Sequence, residues 1–346
     1  MNYSIKICLI ILAIVCFIFF SVLIYLLYHN QESFSSTKKL KGWENSKYFE
    51  CDIVYRWCNP ECMKNKKIDP QRWRDNNELL YSMRLVTDIL GIRNIHIIAR
   101  GKPPDWLDIS DPRIFYYNEE EKLEQFANKH NFDVSNINVY NSEVCKYFIP
   151  YLENLHSERF ILMDDDYFIQ PIKHQFSKKP STALFFNKEG IPYHPHKVWF
   201  SHKPIGFMTK DYYELVEKSC KNFENVTKIL TSGKKRYDPF PEWCTELRKK
   251  GKIIPIKFDK FSTSNLLFLI SKFIPVKLTE FCTYWHDSVT SYNLNFFFNK
   301  IQENNALFVT INDDWPRNKK KYDRIIYKFN NWLKKNITKK ASWEKN

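Results

Sequence analysis

An uncharged apolar run from Ile7 to Tyr28 divides this chain into a short N-terminal part and a long body. The run holds 22 residues without Asp, Glu, Lys or Arg, and a helix of about 20 apolar residues is long enough to cross a bilayer. The run is too long for the apolar part of a secretory signal peptide, and no small-residue cleavage site follows it. We therefore predict an uncleaved membrane anchor at residues 1–28, a polar stem linker at residues 29–48, and a folded body beyond.

The length, composition and net charge of the chain limit the class of protein to which it can belong. The chain has 346 residues, 44% hydrophobic and 17% aromatic, which is enough for one large or two ordinary domains. The formal net charge of +14 favours anionic substrates or membrane head groups, or is simply a solvated surface. No nucleic-acid-binding motif accompanies this charge. With seven glycines and no Gly-rich phosphate loop, phosphate binding would have to use side chains and a metal.

Nine cysteines are present, of which Cys8 and Cys16 lie in the apolar run. The remaining seven cannot all pair within one chain, because their number is odd. Cys58 and Cys62 are close enough in sequence to clip one loop in an oxidising compartment. No regular ligand spacing indicates a zinc site.

Strand-like and helix-like segments alternate along the body, which predicts an α/β fold with a mostly parallel sheet covered by helices. The predicted strands are Asp52–Trp57, Asn94–Ala99, Arg113–Tyr117, Arg159–Met163, Thr182–Phe186, Lys252–Phe258 and Phe308–Ile311. The predicted helices are Asn76–Leu90, Ser142–Leu155, Asp211–Cys220, Glu242–Lys250 and a final amphipathic helix with Tyr322, Ile325, Ile326, Phe329, Trp332 and Leu333 on one face. We place the domain at residues 49–335 and a basic tail at residues 336–346.

Three consecutive carboxylates, Asp164, Asp165 and Asp166, directly follow an apolar strand. Adjacent carboxylates repel each other unless a cation offsets them, and Mg²⁺ binds through one or two carboxylates together with substrate phosphate oxygens. The carboxyl end of a strand in an α/β sheet is the expected position for such a site. The alternative is a solvated acidic turn.

A second apolar strand ends in Asn312 and Asp313. These residues would supply another edge of the same metal or nucleotide site, although an ordinary turn opener explains them equally well.

The segment from Arg72 to Arg84 is dense in charge and follows the first strand. It begins as a loop and continues as a helix, which is where α/β proteins bind ligands. An ordinary capped helix is the alternative, with Asp75 or Asn76 as the cap and Glu78 closing a capping box.

His202 is the histidine that we single out as a general base, because an imidazole titrates near neutral pH. A surface or structural histidine is the alternative.

These segments together resemble the Stealth family of sugar-phosphate transferases. The family's first block has the form Asp-x-Val-Tyr-Thr-Trp-Val-Asn, and its second has the form Arg-aromatic-x-Asp-Asn-x-Glu-Leu-x-Tyr-Ser-x-Arg. The first block matches at Asp52, Val54, Tyr55, Trp57 and Asn59, and the second at Arg72, Trp73, Asp75, Asn76, Glu78, Leu79, Tyr81, Ser82 and Arg84. Arg56 stands where the first block has Thr, and Asp164 stands where the family's Asn-Asp-Asp has Asn.

Later parts of the family pattern follow in the same order. Its His-x-Pro corresponds to His202, Lys203 and Pro204, and its Ile-Asn-Asp corresponds to Ile311, Asn312 and Asp313. A Glu and a His-Arg that members carry before the acidic motif correspond to Lys146 and Pro150-Tyr151 here.

The resemblance implies a GT-A-like core and an enzyme that moves a hexose-1-phosphate, with GlcNAc-1-phosphate first among the candidates, from a nucleotide-diphosphate sugar to a glycan or glycoprotein hydroxyl. It also implies a divalent metal, Mg²⁺ or Mn²⁺, and a single-pass type II protein with a lumenal, Golgi-like body. The metal residues would be Asp165, Asp166 and Asp313. The catalytic residues would be Asp75, Asp166 and His202, and the substrate-binding residues Asp52, Tyr55, Trp57, Asn59, Arg72, Asn76, Glu78, Arg84 and Asn312.

Two other functions remain open from the sequence. A metal-dependent glycosyltransferase of GT-A type would cut the sugar C–O bond instead and release a nucleoside diphosphate. A non-catalytic glycan-binding member of the family is the other alternative, and the residues at the Glu and His-Arg positions favour it.

Overall fold

The computed structural model describes residues 47–63, 74–130, 144–169, 180–192, 204–220, 286–290, 308–312 and 318–345. The predicted anchor, the stem up to residue 46, and the predicted elements Glu242–Lys250 and Lys252–Phe258 lie outside these ranges. Within the ranges, none of the helices combines the length and apolar character that a membrane crossing requires.

The main sheet has five strands in the order β3-β2-β1-β4-β6. They are β1 (Cys51–Cys58), β2 (Ile92–Arg100), β3 (Ile114–Asn118), β4 (Arg159–Asp164) and β6 (Ile205–Met208). The first four are parallel, and β6 pairs antiparallel with β4. All eight residues of β1 are buried, as expected for the central strand of a sheet with helices on both faces.

Helices cover the two faces of the main sheet, each over its own apolar core. Helix α1 (Glu78–Thr87) covers one face with Leu79, Met83 and Val86. Helices α2 (Glu119–His130) and α3 (Thr209–Cys220) cover the other, together with the 3-10 helix Val144–Tyr151. The predicted α/β architecture with a mostly parallel sheet is confirmed.

A second, three-stranded sheet follows directly from β4. It contains β5 (Tyr167–Ile169), β8 (Phe308–Asn312) and β7 (His286–Thr290) in the order β5-β8-β7. Strand β8 runs antiparallel to β5 and parallel to β7. Only the two residues Asp165 and Asp166 separate β4 from β5, so this acidic turn connects the two sheets.

The C-terminal segment, residues 318–345, packs along α1. Helix α4 (Lys319–Asn336) begins at Asn318, whose side chain accepts a hydrogen bond from the Lys321 N–H. Its predicted apolar face is confirmed, since Phe329 and Leu333 are fully buried against α1 and β5. In the described part of the predicted basic tail, residues 336–345, Trp343 is fully buried in the core under α1.

Three predicted elements also differ from the structure. Thr182–Phe186 is not a strand: Thr182–Leu184 forms a 3-10 helix, and the Thr182 hydroxyl donates to the Phe49 carbonyl and accepts from the Phe49 N–H. The described part of Ser142–Leu155 is 3-10 rather than α-helical, and it contains Pro150, which has no N–H to donate. Helix α1 ends at Thr87, three residues before Leu90.

Candidate functional site

The order of the strands locates one crevice at the carboxyl ends of the main sheet. From β1 the chain adds β2 and β3 on one side, and it then returns to add β4 on the other side. Such a reversal leaves a crevice beyond the carboxyl ends of the two strands that it separates, here β1 and β4. Strand β4 ends at Asp164 and leads into Asp165 and Asp166, so the acidic turn lies at this switch point.

An ion pair joins β1 and β4 at the crevice. Arg56 and Asp164 are in-register neighbours, and the Arg56 guanidinium donates to the Asp164 carboxylate. The side chain of Arg56 is 3% exposed and that of Asp164 is 22% exposed. A buried arginine requires an anionic partner, and this pair neutralises one of the three carboxylates of the acidic turn.

The Arg56–Asp164 pair accounts for two departures from the family pattern at once. The pattern has Thr at position 56 and Asn at position 164, whereas this chain has a cation and an anion at these paired positions. Because both substitutions fall on neighbouring residues of adjacent strands, their charges cancel locally. The acidic turn therefore carries the net charge of two carboxylates, as in the version of the motif with an uncharged Asn.

Asp165 and Asp166 are partly exposed at the connection of the two sheets. In the pairing of β5 with β8, Tyr167 is opposite Thr310. Because the two strands are antiparallel, β8 runs on from Thr310 to its end at Asn312 in the direction of the acidic turn that precedes Tyr167. The two acidic segments predicted to share one site therefore approach each other, although Asp313 itself lies outside the described residues.

A buried chain of hydroxyl groups fixes the strand that follows the acidic turn. The Ser82 hydroxyl of α1 donates to the Tyr167 carbonyl at the start of β5. Since Ser82 has one proton to donate, the Tyr55 hydroxyl must donate to the Ser82 oxygen, at 2.8 Å. Tyr55 is fully buried. Through Ser82 it holds Tyr167, the residue that directly follows the acidic turn. This structural role differs from the substrate contact that we predicted for Tyr55.

The start of α1 is held by its own side chains. The two carboxylate oxygens of Glu78 accept from the Asn76 backbone N–H at 2.7 Å and from the Asn76 side chain at 2.8 Å. Tyr322 of α4 donates its hydroxyl proton to the Asn76 side-chain oxygen. Asn76 and Glu78 are 2% and 6% exposed, so both are structural here, which is close to the capped-helix alternative.

Asp75 and Arg74 are more accessible than the buried Asn76 and Glu78. The Asp75 carboxylate accepts from the Asn77 N–H at 2.7 Å, while Asn77 adopts a left-handed conformation with φ of 65°. Desolvation raises the pKa of Asp75 even though part of its side chain reaches solvent. The Arg74 guanidinium lies over the Tyr322 ring, 3.8 Å from its centre. Arg72 lies outside the described residues.

Arg84 contacts the C-terminal segment. Its guanidinium donates two parallel hydrogen bonds to Glu344, at 2.7 and 2.6 Å, and a third to the Ile337 carbonyl at 3.2 Å. Burial alone would raise the pKa of Glu344, but the hydrogen bonds from Arg84 and from the Ala341 N–H lower it. Arg84 is thus engaged by this chain itself, unlike the substrate role that we predicted.

The other residues of the first block are divided between the two ends of β1. Asp52 is fully buried at the amino end, 3.2 Å from the ring of His96, which also meets the Tyr117 hydroxyl at 3.1 Å. This position is at the opposite end of the strand from the crevice. Trp57 packs into the core under α1. Asn59 lies at the carboxyl end, partly exposed, and its side chain bonds the Glu61 N–H and the Lys102 carbonyl.

The cysteines near the crevice are thiols. Cys58 and Cys62 are both free, so the disulfide considered from the sequence is not formed here. Burial raises the pKa of Cys58 to about 12, with the charge of Cys62 adding to the effect. The Cys58 thiol is therefore neutral at physiological pH.

A complete metal site is not assembled by the residues that the structure describes. Among them, no three His, Cys, Asp or Glu side chains converge on one point. Two adjacent carboxylates at a sheet edge nevertheless suit Mg²⁺, which keeps several waters and takes substrate phosphate oxygens as further ligands. His202, like Asp313, lies outside the described ranges.

Sequence reasoning missed Arg56, Tyr322 and Glu344. For Arg56 a signal was available, because a charged residue inside a wholly apolar parallel strand needs a buried partner, and the acidic triplet is the nearest candidate. Tyr322 and Glu344 are separated from Asn76 and Arg84 by 246 and 260 positions, and no local pattern predicts such contacts.

Comparison with known proteins agrees with these motifs. Residues 72–188 match conserved region 2 of the Stealth proteins. Over these residues, about a third of its length, the chain is similar to the Stealth proteins. The matched region contains the start of α1 and the acidic turn, so both halves of the candidate site that the structure describes best lie in the part characteristic of Stealth proteins.

Several proteins that are similar to this chain are named as phosphotransferases. A capsular polysaccharide phosphotransferase of Neisseria meningitidis serogroup B is 32% identical over 124 residues, 34% of this chain and 30% of that protein. The capsular polysaccharide phosphotransferase CpsJ of Streptococcus thermophilus is 25% identical over 181 residues, 45% of this chain and 72% of that protein. The human N-acetylglucosamine-1-phosphotransferase subunits alpha/beta are 28% identical over 104 residues, 30% of this chain.

This chain spans only a minor part of the length of some of these relatives. The alignment spans 26% of an exopolysaccharide phosphotransferase of Streptomyces coelicolor and 8% of the human protein. Among solved structures, the galactosyltransferase LgtC with donor and acceptor sugar analogues aligns over 84% of this chain and 98% of its own. Its TM-score of 0.40 and 9% identity are too low to establish a shared fold.

Proposed function

We propose that this protein is a Stealth-type enzyme that transfers a sugar-1-phosphate from a nucleotide-diphosphate sugar to a glycan hydroxyl and releases a nucleoside monophosphate. The observation that carries the proposal is the acidic turn Asp164–Asp166, which lies at the switch point of a parallel sheet and inside the region matched to Stealth conserved region 2. The names of the relatives support the reaction class. GlcNAc-1-phosphate is our first candidate for the transferred group, and a membrane anchor with a lumenal body is part of the proposal.

The reaction requires neutralisation of charge around a pyrophosphate. An oxygen of the acceptor hydroxyl forms a bond to the β-phosphorus, while the bond from that phosphorus to the bridging oxygen breaks. The bridging oxygen leaves with the electron pair as part of the nucleoside monophosphate, and the hydroxyl proton passes to a base. Since the protein forms no covalent bond in this scheme, its contribution is positioning and electrostatic stabilisation.

The acidic turn would neutralise charge around the pyrophosphate if it holds a divalent cation. Asp165 and Asp166, with Asp313 as a third candidate, would hold Mg²⁺ or Mn²⁺, which would offset charge on the phosphate oxygens. The Arg56–Asp164 pair keeps the third carboxylate from adding negative charge to the site. We further propose that the core is GT-A-like, for which the support is the family pattern together with the acidic motif at the end of β4.

Two residues are candidates for the general base that accepts the proton of the acceptor hydroxyl. They are Asp75 and His202. Asp75 lies in the loop before α1, and desolvation raises its pKa. A carboxylate with a raised pKa accepts a proton more readily near neutral pH. His202 is the alternative from the family's His-x-Pro.

Identification of the released nucleotide tests the proposal. The full chain is incubated with UDP-GlcNAc or GDP-mannose and a panel of sugar acceptors, with Mn²⁺ or Mg²⁺ and then with a chelator. We expect a nucleoside monophosphate whose formation needs both acceptor and metal. Release of a nucleoside diphosphate would instead make the protein a glycosyltransferase, and binding of a glycan without turnover of any donor would favour a non-catalytic role.

A further inference from the structure

The outward face of helix α4 presents a row of six exposed side chains. We call this row the α4 stripe. Its members follow each other at the three- or four-residue spacing that places side chains on the same side of a helix. The row is about 22 Å long, since each residue adds about 1.5 Å to a helix. Its members are Lys320, Arg324, Tyr327, Lys328, Asn331 and Lys335.

The helix that carries the stripe is strongly cationic. Helix α4 contains seven Lys and Arg side chains and one carboxylate, Asp323, which the Lys319 ammonium binds at 2.7 Å. Four more acidic side chains lie on the segments next to α1 and α4, and each is bonded by a residue outside the stripe. They are Asp75, Glu78, Asp88 and Glu344. Among the described residues, Lys320, Arg324 and Lys335 have no acidic partner.

This arrangement of charge opposes the stability of the helix in two ways. Lys320, Arg324 and Lys328 follow each other at a spacing of four residues, at which like charges repel. The first turn of α4 contains three lysines and no acidic residue, although the helix dipole favours anions there. Local rules are broken in this way mainly at functional sites, and an anion bound along the stripe would offset both effects.

The spacing and the aromatic ring of the stripe indicate what kind of anion it would bind. Successive cations are about 6 Å apart along the axis, which suits a chain with repeated negative charges better than a single small anion. Tyr327 is 69% exposed in the middle of the row, and its ring offers a flat apolar face on which a sugar ring can stack. Ile325 and Ile326 pack inward against the core under α4, so they offer no apolar surface to a bilayer.

The inner face of α4 connects the stripe to the candidate site. Phe329, on the opposite side of the helix from the stripe, packs edge-on against Phe168 of β5, with ring centres 6.4 Å apart. Phe168 is the second residue after the acidic turn. Because a helix is about 10–12 Å across and a strand rises about 3.3 Å per residue, the stripe lies within roughly 20 Å of the acidic turn.

We infer that the α4 stripe binds an anionic glycan chain, the acceptor that the proposed reaction extends, and holds it near the acidic turn. The inference rests on the proposed function, because each transfer of a sugar-1-phosphate to a hydroxyl leaves a phosphodiester with one negative charge. A chain built by repeated transfer is therefore polyanionic, and its affinity for the stripe increases with its length.

The test measures binding to the full chain in the absence of any donor. The probe is an octamer of N-acetylglucosamine units joined by phosphodiesters, and the uncharged comparison is maltooctaose. We expect the charged octamer to bind and maltooctaose not to bind. The variant Lys320→Gln, Lys328→Gln, Lys335→Gln should weaken binding of the charged octamer about 10-fold, since each exposed ion pair is worth roughly twofold in affinity.

A second variant tests whether the stripe recognises sugar as well as charge. Tyr327→Ala should weaken binding of the charged octamer, whereas binding of inorganic polyphosphate, which has no sugar ring, should not change. Equal loss for both probes, or tighter binding of single-stranded DNA of eight nucleotides than of the charged octamer, would overturn the assignment to a glycan.

The matched control replaces three exposed lysines on other elements, in Lys47→Gln, Lys188→Gln, Lys210→Gln. It lowers the net charge by the same amount and should leave the affinity unchanged. Equal weakening in the two triple variants would show that the glycan responds to net charge alone, which would overturn the inference.

Failure of the inference is distinguishable from failure of the proposed function, because binding requires no donor. Binding at the stripe without release of a nucleoside monophosphate from any donor would overturn the proposed function and leave a glycan-binding site. Release of the monophosphate with the same KM for neutral and anionic acceptors would support the function and overturn the inference.

Discussion

The acidic turn and the start of helix α1 both lie near the crevice, yet their polar side chains are used differently. At the start of α1, Asn76 and Glu78 are buried and bond each other, and Tyr322 completes the set. In the acidic turn, Asp164 is paired with Arg56, while Asp165 and Asp166 are partly exposed beside the end of β8. A dense, motif-like segment can thus be buried as scaffold, while a shorter one keeps partly exposed carboxylates at the end of a strand.

The strongest test of this difference is Asp166→Asn. We expect turnover to fall roughly 1000-fold, because the variant removes a full charge from the site that offsets the pyrophosphate. The thermal unfolding midpoint should not fall, since an amide occupies the same volume and relieves repulsion between carboxylates. Turnover with each donor and a melting curve are the measurements. Glu124→Gln, at an exposed position on α2, is the control, and unchanged turnover in Asp166→Asn would exclude Asp166 as a metal residue.

The next effect comes from breaking the Arg56–Asp164 pair. Arg56→Thr leaves Asp164 without its buried cation and should cost about 3 kcal/mol in the free energy of unfolding. The double variant Arg56→Thr, Asp164→Asn restores the uncharged pair of the family pattern. It should recover most of that loss, and denaturant unfolding of the wild type, both single variants and the double variant measures the coupling. Additive losses in the double variant would show that the two positions do not compensate each other.

A smaller loss of stability is expected from Glu344→Gln, without loss of catalytic power per folded molecule. Glu344 has a lowered pKa in the folded protein, so its ionised form stabilises the fold above its unfolded pKa. The variant should cost about 2 kcal/mol at pH 7, as for hydrogen bonds to a charged group. The difference from the wild type should shrink as the pH falls through the folded pKa, because protonated Glu and Gln are both neutral. Unfolding curves between pH 7 and pH 3 check the trend, and a difference independent of pH would argue against a role for the charge.

The smallest effect should come from Tyr322→Phe. This variant keeps the ring under Arg74 but removes the hydrogen bond to Asn76, which should cost about 1 kcal/mol. If the start of α1 is scaffold, kcat and KM should both stay close to the wild type. Steady-state kinetics beside unfolding measurements would show this, and a large change in KM alone would instead place Asn76 in contact with substrate.

Most of the core elements could be predicted from local sequence, whereas their partners could not. Burial leaves a pattern in the local sequence. It appears as continuous apolar runs in β1, β2 and β4, and as a periodic apolar face in α1 and α4. Thr182–Phe186 has the composition of a strand, but hydrogen bonds to Phe49 and Leu90 satisfy it as a 3-10 turn. That choice depends on residues more than 90 positions away.

In the candidate site, too, the local sequence predicts the motif but not the partners of its side chains. The sequence by itself determined that an acidic motif follows a buried strand, and that the chain carries the Stealth pattern around it. Only the tertiary structure decided which charges pair with each other, because Arg56 meets Asp164 across two strands and Glu344 reaches Arg84 from the far end of the chain. Charge pairing acts over a few ångströms in space regardless of separation in sequence, and the fold therefore determines which polar residues serve the scaffold and which remain for a ligand.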